Sequence, residues 1–157
     1  MKKIQIICIG DYKEQYLKDA EKEYLKRIQK YYDVQVTTVS EYTVVNNPNQ
    51  EQILQKKQRE ALEIEKHLKG YVIALCIDGK SWDSKKFAHH LDKILDDNSQ
   101  ITFIIGGSDG LSDKIVEKSN EKLSFSAFTF PHQLMRVILL EQIYRAGTII
   151  AGKTYHK

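Results

Sequence analysis

Apolar and polar positions along this chain recur with a period that switches repeatedly between that of a strand and that of a helix. Lys3–Ile9 reads as a first strand. Asp11 then offers a side-chain cap with Glu14 three residues on, and Leu17, Ala20, Tyr24, Ile28 and Tyr31 follow at helical spacing, which predicts an amphipathic helix packed on a sheet. Val34–Val39 is a second strand. A polar connection through Asn46, Asn47 and Pro48 leads into a long helix in which Ile53, Ala61, Ile64 and Leu68 share a face, and Gly70 stops it.

Tyr71–Ile77 is a nearly continuous apolar run, as expected of an interior strand covered on both faces, and Asp78-Gly79-Lys80-Ser81-Trp82 reads as the turn after it. Asp83 or Ser84 caps a helix with Phe87, Ala88, Leu91, Ile94 and Leu95 on one side. Ile101–Ile105 is another buried strand, running straight into Gly106-Gly107-Ser108-Asp109-Gly110. Leu111–Lys118 predicts a short helix, Leu123–Phe128 a last strand-like stretch, and Pro131 opens a final helix from His132 to about Gly147. Without repeats, low-complexity tracts or a Pro/Gly-rich linker, this alternation predicts one α/β domain over residues 1–157, a mostly parallel sheet flanked by helices. Ligands of such sheets bind beyond the carboxyl ends of the strands, where the Asp78–Lys80 turn and the glycine loop both fall.

The final helix is apolar nearly all the way round: Leu134, Met135, Val137, Ile138, Leu139, Leu140, Ile143 and Ala146 leave no polar face. A helix resting on one sheet cannot bury all of that surface, so it is either central in the fold or shared with a second subunit. The second reading is favoured in so small a domain, and a two-fold dimer is the commonest way to satisfy it.

At 157 residues, 41% hydrophobic and 29% charged, the chain falls among globular proteins rather than disordered or membrane ones. The apolar run after Met1-Lys2-Lys3 ends at Gly10, short of the ~7–15 residues of a secretory core, and no stretch approaches the ~20 of a membrane span. Cys8 and Cys76 stand far apart in strand-like runs, so a reducing, cytoplasmic location is expected. The net charge of +3 is unevenly placed: residues 131–157 carry Arg136, Glu141, Arg145, Lys153 and Lys157, while the rest of the chain is neutral. An anionic partner attracted by that field is met at the C-terminus.

The glycine loop permits a tight turn or the close approach of a ligand to backbone, but matches neither the dinucleotide pattern nor the P-loop. His89 and His90 are adjacent on a helix and diverge, no Cys/His spacing suits a metal, and no metal is expected. His67 reads as a helix-surface residue, and His132 as a first-turn contact or a ligand contact. No nucleophile motif of the GxSxG type is present. The tail Lys153-Thr154-Tyr155-His156-Lys157 combines an aromatic ring, an imidazole and two cations, a set suited to stacking on a base and meeting phosphate. A nucleotide-dependent hydrolase or phosphotransferase built on the glycine loop stays open at this point.

Taken in order, several segments together resemble the RlmH (YbeA-like) family of SPOUT-class methyltransferases over essentially the whole chain. They are the opening strand with Gly10, Asp78–Trp82, Phe103–Ser112, Leu123–Val137, Glu141–Ala146 and the closing Tyr155-His156-Lys157. The resemblance implies a SPOUT-type domain with a C-terminal trefoil knot, its cofactor region at about 101–157, and an obligate homodimer that needs no metal. It implies S-adenosylmethionine held by Leu75, Gly106 and the segment Phe125, Ser126, Ala127, Phe128, Thr129 and Phe130. The acceptor it implies is the N3 position of a pseudouridine in a hairpin (helix 69) of large-subunit (23S) ribosomal RNA, in the large subunit or the assembled ribosome. Catalysis would rest mainly on alignment, with His156 or Tyr155 assisting departure of the imide proton, or Arg145 stabilising the developing anion, and His132, Arg136, Lys153 and Lys157 on the RNA. A catalytically inert ribosome-binding module of the same fold is the alternative. Family members often carry Pro-Glu at Ser108-Asp109, leucines at Phe125, Phe128 and Phe130, a tryptophan at Gly147 and an arginine at Lys157. Gly147 is therefore expected to loosen the end of the last helix.

Overall fold

A computed structural model describes residues 1–43 and 45–157. Five strands form one sheet in the order β2-β1-β4-β3-β5, comprising β1 (Lys3–Ile9), β2 (Asp33–Val39), β3 (Tyr71–Ser81), β4 (Gln100–Ile104) and β5 (Glu121–Ser124). Every neighbouring pair is parallel, as the alternation of strands and helices predicts. Among the described residues the helices are α1 (Gln15–Ile28), α2 (Gln50–Glu65), α3 (Ser84–Asp97), α4 (Asp113–Lys118) and α5 (His132–Ile150).

Successive side chains of a strand point to opposite faces, and β1 shows how this builds three layers. Ile4, Ile6 and Cys8 enter one core with Ile28 of α1, Phe87, Leu91 and Ile94 of α3, and Leu139, Leu140 and Ile143 of α5. Ile7 and Ile9 enter the other, with Ala61 and Ile64 of α2 and Ile115 of α4. Thus α1, α3 and α5 cover one face and α2 and α4 the other. The apolar girth of α5 follows: the helix packs against both α1 and α3 as well as the sheet. Most of its apolar surface is buried within the chain itself, with Leu134 and Ile150 left exposed.

Helix starts are set by side chains where the chain supplies a good acceptor. Asn49 accepts from the Gln52 N–H while the Gln52 side chain accepts from Asn49, a complete capping box for α2. Asp83 caps α3 and Ser112 caps α4, so α4 begins two residues later than the apolar pattern suggests. Asp11 does not cap α1: the helix begins at Gln15, with Glu14 at its N-cap making no side-chain bond. It ends at Ile28, and Tyr31 lies beyond it.

Three boundaries depart from the sequence pattern in ways that matter for the site. β3 does not turn at Asp78 but continues to Ser81, after a register shift between Leu75 and Lys80 that lets Lys80 and Ser81 pair with Leu123 and Ser124. β5 stops at Ser124 instead of reaching Phe128, which frees residues 125–130 as a loop. α5 runs to Ile150, three residues past Gly147, which lies buried inside it.

Candidate functional site

β4, β3 and β5 lie side by side in the sheet, and residues of β3 together with the chain beyond β4 and β5 become the walls of a site. After β4 the glycine loop closes on itself: Gly110 N–H donates to Gly107 O at 3.0 Å, and Gly110 sits at φ +79°. A β-carbon at Gly106 would lie 2.7 Å from the Gly110 carbonyl carbon, so only glycine allows this turn. Opposite, Ser124 Oγ donates to Ser126 O and Phe128 N–H to Ser126 Oγ, which gives the 125–130 loop a serine-stabilised turn.

Between the two loops is a cavity of about 760 Å³, within the usual range for small-molecule sites. Leu75, Cys76 and Ile77 of β3, Gly106–Gly110, Leu123–Ser126, Phe128–His132 and Met135 line it. Of the residues expected to hold a cofactor, Leu75, Gly106, Phe125, Ser126, Phe128, Thr129 and Phe130 all border this one space. Ala127 does not: it is exposed on the outer side of the loop. Cys76, Ile77 and Met135 border it unanticipated, because their apolar character reads as ordinary core. Phe128 is 78% exposed, a large ring held at the rim rather than packed.

His132 also borders the cavity, and burial, reinforced by the Arg136 guanidinium, holds its imidazole below the usual histidine range. Arg136 overturns its expected role on RNA. It is 2% exposed, its guanidinium donates to the carbonyls of Ile9 and Gly10, and it stacks 4.8 Å over the Tyr12 ring. The arginine ties α5 to the end of β1 and cannot meet phosphate from there. Lys153 and Lys157 are exposed.

The three expected catalytic residues converge elsewhere, around Glu141. Tyr155 donates to Glu141 Oε1 at 3.1 Å, Arg145 Nε donates to the same oxygen at 3.1 Å, and the guanidinium lies 4.8 Å over the Tyr155 ring. Arg145 Nη1 is 3.1 Å from His156 Nδ1. A guanidinium can only donate, so Nδ1 accepts and the ring proton sits on Nε2. Burial and the adjacent carboxylate raise the Tyr155 phenol above its ordinary range, so it stays protonated. Glu141 stands in the Glu141–Ala146 segment but carries no expected role, because the sequence does not show that Tyr155 folds back onto it.

His156 borders a second cavity of about 480 Å³, lined also by Trp82–Lys85, Phe87, Gln142 and Leu123–Phe125. The two cavities share the Leu123–Phe125 ridge, and none of Arg145, Tyr155 and His156 borders the larger one. Within this chain, the tail and the glycine loop face separate spaces.

Behind the glycine loop, Lys56 of α2 is paired with Asp109 at 3.1 Å and Glu41 at 3.3 Å while only 5% exposed. Burial pulls its ammonium down, but the two carboxylates outweigh this and hold it above the ordinary lysine range. His90 bonds Glu121 and stacks on Trp82, and among the described residues no group of acids, histidines and cysteines is arranged for a metal. No described helix is long and apolar enough to cross a membrane.

The sequence profile described as "Predicted SPOUT methyltransferase" matches residues 1–156. Two proteins named ribosomal RNA large subunit methyltransferase H, from Clostridium novyi and Bacillus cereus, are 46% and 45% identical to it over 157 residues, covering 98% of this chain and 99% of each relative. The chain belongs to the RlmH family of SPOUT methyltransferases. The RlmH resemblance drawn from Gly106–Gly110, Leu123–Val137 and the closing Tyr155-His156-Lys157 is thereby upheld. The fold is shared with a more distant solved structure: a tRNA (m1G37) methyltransferase from Aquifex aeolicus superposes with a TM-score of 0.54 at 14% identity, over 92% of this chain and 70% of that one.

Proposed function

We propose that this chain is an S-adenosylmethionine-dependent methyltransferase acting on the N3 position of a pseudouridine in the helix 69 hairpin of 23S ribosomal RNA, on the assembled ribosome. The observation that carries the reading is the 760 Å³ cavity, which gathers Leu75, the glycine loop and the 125–130 loop at one end of a parallel sheet. Its character suits that cofactor. Apolar walls from Leu75, Phe125 and Met135 fit an adenine, and the exposed backbone of the two glycine- and serine-shaped turns offers donors and acceptors to its polar groups. Leu75, Gly106 and Phe125–Phe130 would hold the cofactor, which when bound supplies an activated methyl group on a sulfonium sulfur.

The protein's own task is then to hold the acceptor base in line with that methyl, an effect that lowers barriers by up to roughly 7–11 kcal/mol. The imide proton of the base leaves to solvent. In the arrangement seen, His156 presents Nε2–H as a donor toward the charge developing on the base carbonyls, with Arg145 fixing that tautomer, while the Tyr155 proton is engaged by Glu141 and its ring is left to stack on the base. Lys153 and Lys157 meet phosphate. Because the tail faces a separate space in its own protomer, the reading includes a homodimer in which one protomer's tail closes the other's cavity. It also includes the trefoil knot of the family in the 101–157 region, and a cytoplasmic location beside the ribosome.

Two measurements test it. Calorimetry should show one S-adenosylmethionine per cavity, whereas an inert ribosome-binding module would bind RNA alone. Mass spectrometry of 23S ribosomal RNA from cells lacking the protein should show the hairpin pseudouridine without its methyl group, and an unchanged hairpin would reject the acceptor.

A further inference from the structure

Lys56 is the only buried lysine among the described residues, and it belongs to no wall of either cavity. Its ammonium bridges two segments distant in the chain, Glu41 beyond β2 and Asp109 in the glycine loop. One helical turn later Glu60, 4% exposed, accepts the Tyr42 N–H at 3.3 Å. Removing such charges from water is unfavourable unless their partners offset it, and in some proteins ions so retained fix one arrangement over its competitors.

What is fixed here is the loop. Among the described residues, the Lys56–Asp109 pair is the one side-chain hydrogen bond from Gly106–Gly110 to any other element. The loop also rests directly on this cluster: a β-carbon at Gly107 would lie 3.5 Å from Ile9 Cγ2 and 4.0 Å from Glu60 Oε1. Asp109 itself borders the larger cavity. Without the ammonium, Glu41, Glu60 and Asp109 would be three carboxylates with no cation among them, and the exposed loop is the part free to move away.

Resting on the reading of the larger cavity as the methyl-donor site, we propose that Lys56 is a positioning residue that clamps Asp109 and so sets the shape of the cofactor-facing glycine loop. α2, which lines neither cavity, thereby acts on the site through one buried ion pair.

The test compares full-length Lys56→Met and Lys56→Arg with the unaltered protein. Calorimetry is run with S-adenosylmethionine and with S-adenosylhomocysteine, which lacks the sulfonium charge, and hydrogen exchange is followed at the amides of residues 106–111. Lys56→Met should weaken both ligands equally, on the order of tenfold or more, and speed exchange in the loop. Lys56→Arg should restore most of the affinity. Tighter binding of S-adenosylmethionine with S-adenosylhomocysteine unchanged would mean that Lys56 acts through its charge on the sulfonium and not through loop shape, and would overturn the proposal, as would unchanged loop exchange in Lys56→Met. If Lys56→Met does not fold, Asp109→Ala at the more exposed end of the pair should reproduce both effects, and its failure to do so is equally decisive. Should the unaltered protein bind neither ligand while Lys56→Met still loosens the loop, the clamp stands and the methyl-donor reading falls.

Discussion

A β-carbon placed on Gly147 would lie 2.6 Å from Cγ of Tyr31, closer than atoms of these kinds ever pack. Gly147 is therefore a buried contact surface in the last turn of α5, where the segment after α1 lies against the helix, and not the loosened end that its sequence position suggests. Two effects of Gly147→Ala oppose each other. Helix propensity favours alanine by about 0.8–1 kcal/mol, while overpacking costs about 1–3 kcal/mol. Urea denaturation should show a net loss of stability in the natural background and a gain in Tyr31→Ala. Stabilisation in both would refute the contact.

Arg136 is expected to matter for folding and not for RNA affinity. Arg136→Met orphans the Ile9 and Gly10 carbonyls at the end of β1, each worth about 1–3 kcal/mol when buried unpaired, and removes the stacking on Tyr12. The denaturation midpoint should fall sharply. The salt dependence of ribosome binding by the folded fraction should not change, whereas Lys153→Ala or Lys157→Ala should each reduce that slope by about one. A reduced slope in Arg136→Met would restore the phosphate role that its burial argues against.

Arg136 also shows where the sequence stops being legible. An arginine one turn after His132, in a segment of surplus positive charge, looks the same whether it faces solvent or inserts beneath a strand end, because its partners are backbone carbonyls 126 and 127 residues away. The periodic signals were local and survived. β1, α2, α3 and β4 lie within a residue or a few of their apolar patterns, and the glycine loop falls at a strand's carboxyl end as parallel topology requires. The extension of β3 through Asp78–Ser81 was invisible because it depends on pairing with Leu123 and Ser124, some forty residues on in the chain. Lys56 was invisible for a related reason: on a helix rich in Lys, Glu and Gln, nothing local marks which cation turns inward.

His132 gives the site a pH dependence. Burial and the Arg136 charge hold its folded pKa below the unfolded value of 6.5. Between the two, the unfolded chain binds the extra proton, so the neutral imidazole contributes stability that is fully present above pH 6.5 and is lost as pH falls through the folded pKa. His132→Asn should flatten the stability profile on the acid side of pH 6.5 and leave it unchanged near pH 8. An equally steep acid limb in His132→Asn, measured by denaturation at matched ionic strength, would assign the effect to another group.

The last prediction concerns Glu141, whose carboxylate holds Arg145 and Tyr155 together. The Arg145–Glu141 pair has side chains 24% and 17% exposed, and such a pair near the surface contributes at most about 1 kcal/mol to folding. Its effect on positioning should be larger. Glu141→Ala frees the guanidinium from its seat over the Tyr155 ring and, through it, the tautomer of His156, so single-turnover methyl transfer to ribosomes should fall on the order of 10–100-fold. Cofactor affinity should hold, because Glu141 borders neither cavity. Deleting Tyr155–Lys157 should abolish transfer with the same sparing of cofactor binding. Mixed dimers decide whether the tail works across the interface: a protomer lacking its tail, paired with one whose cavity is blocked by Gly106→Val, should recover activity in one of its two sites, because an intact tail then meets an intact cavity. No recovery in the mixed dimer, with both parents folded and dimeric, would place the tail back over its own protomer's cavity.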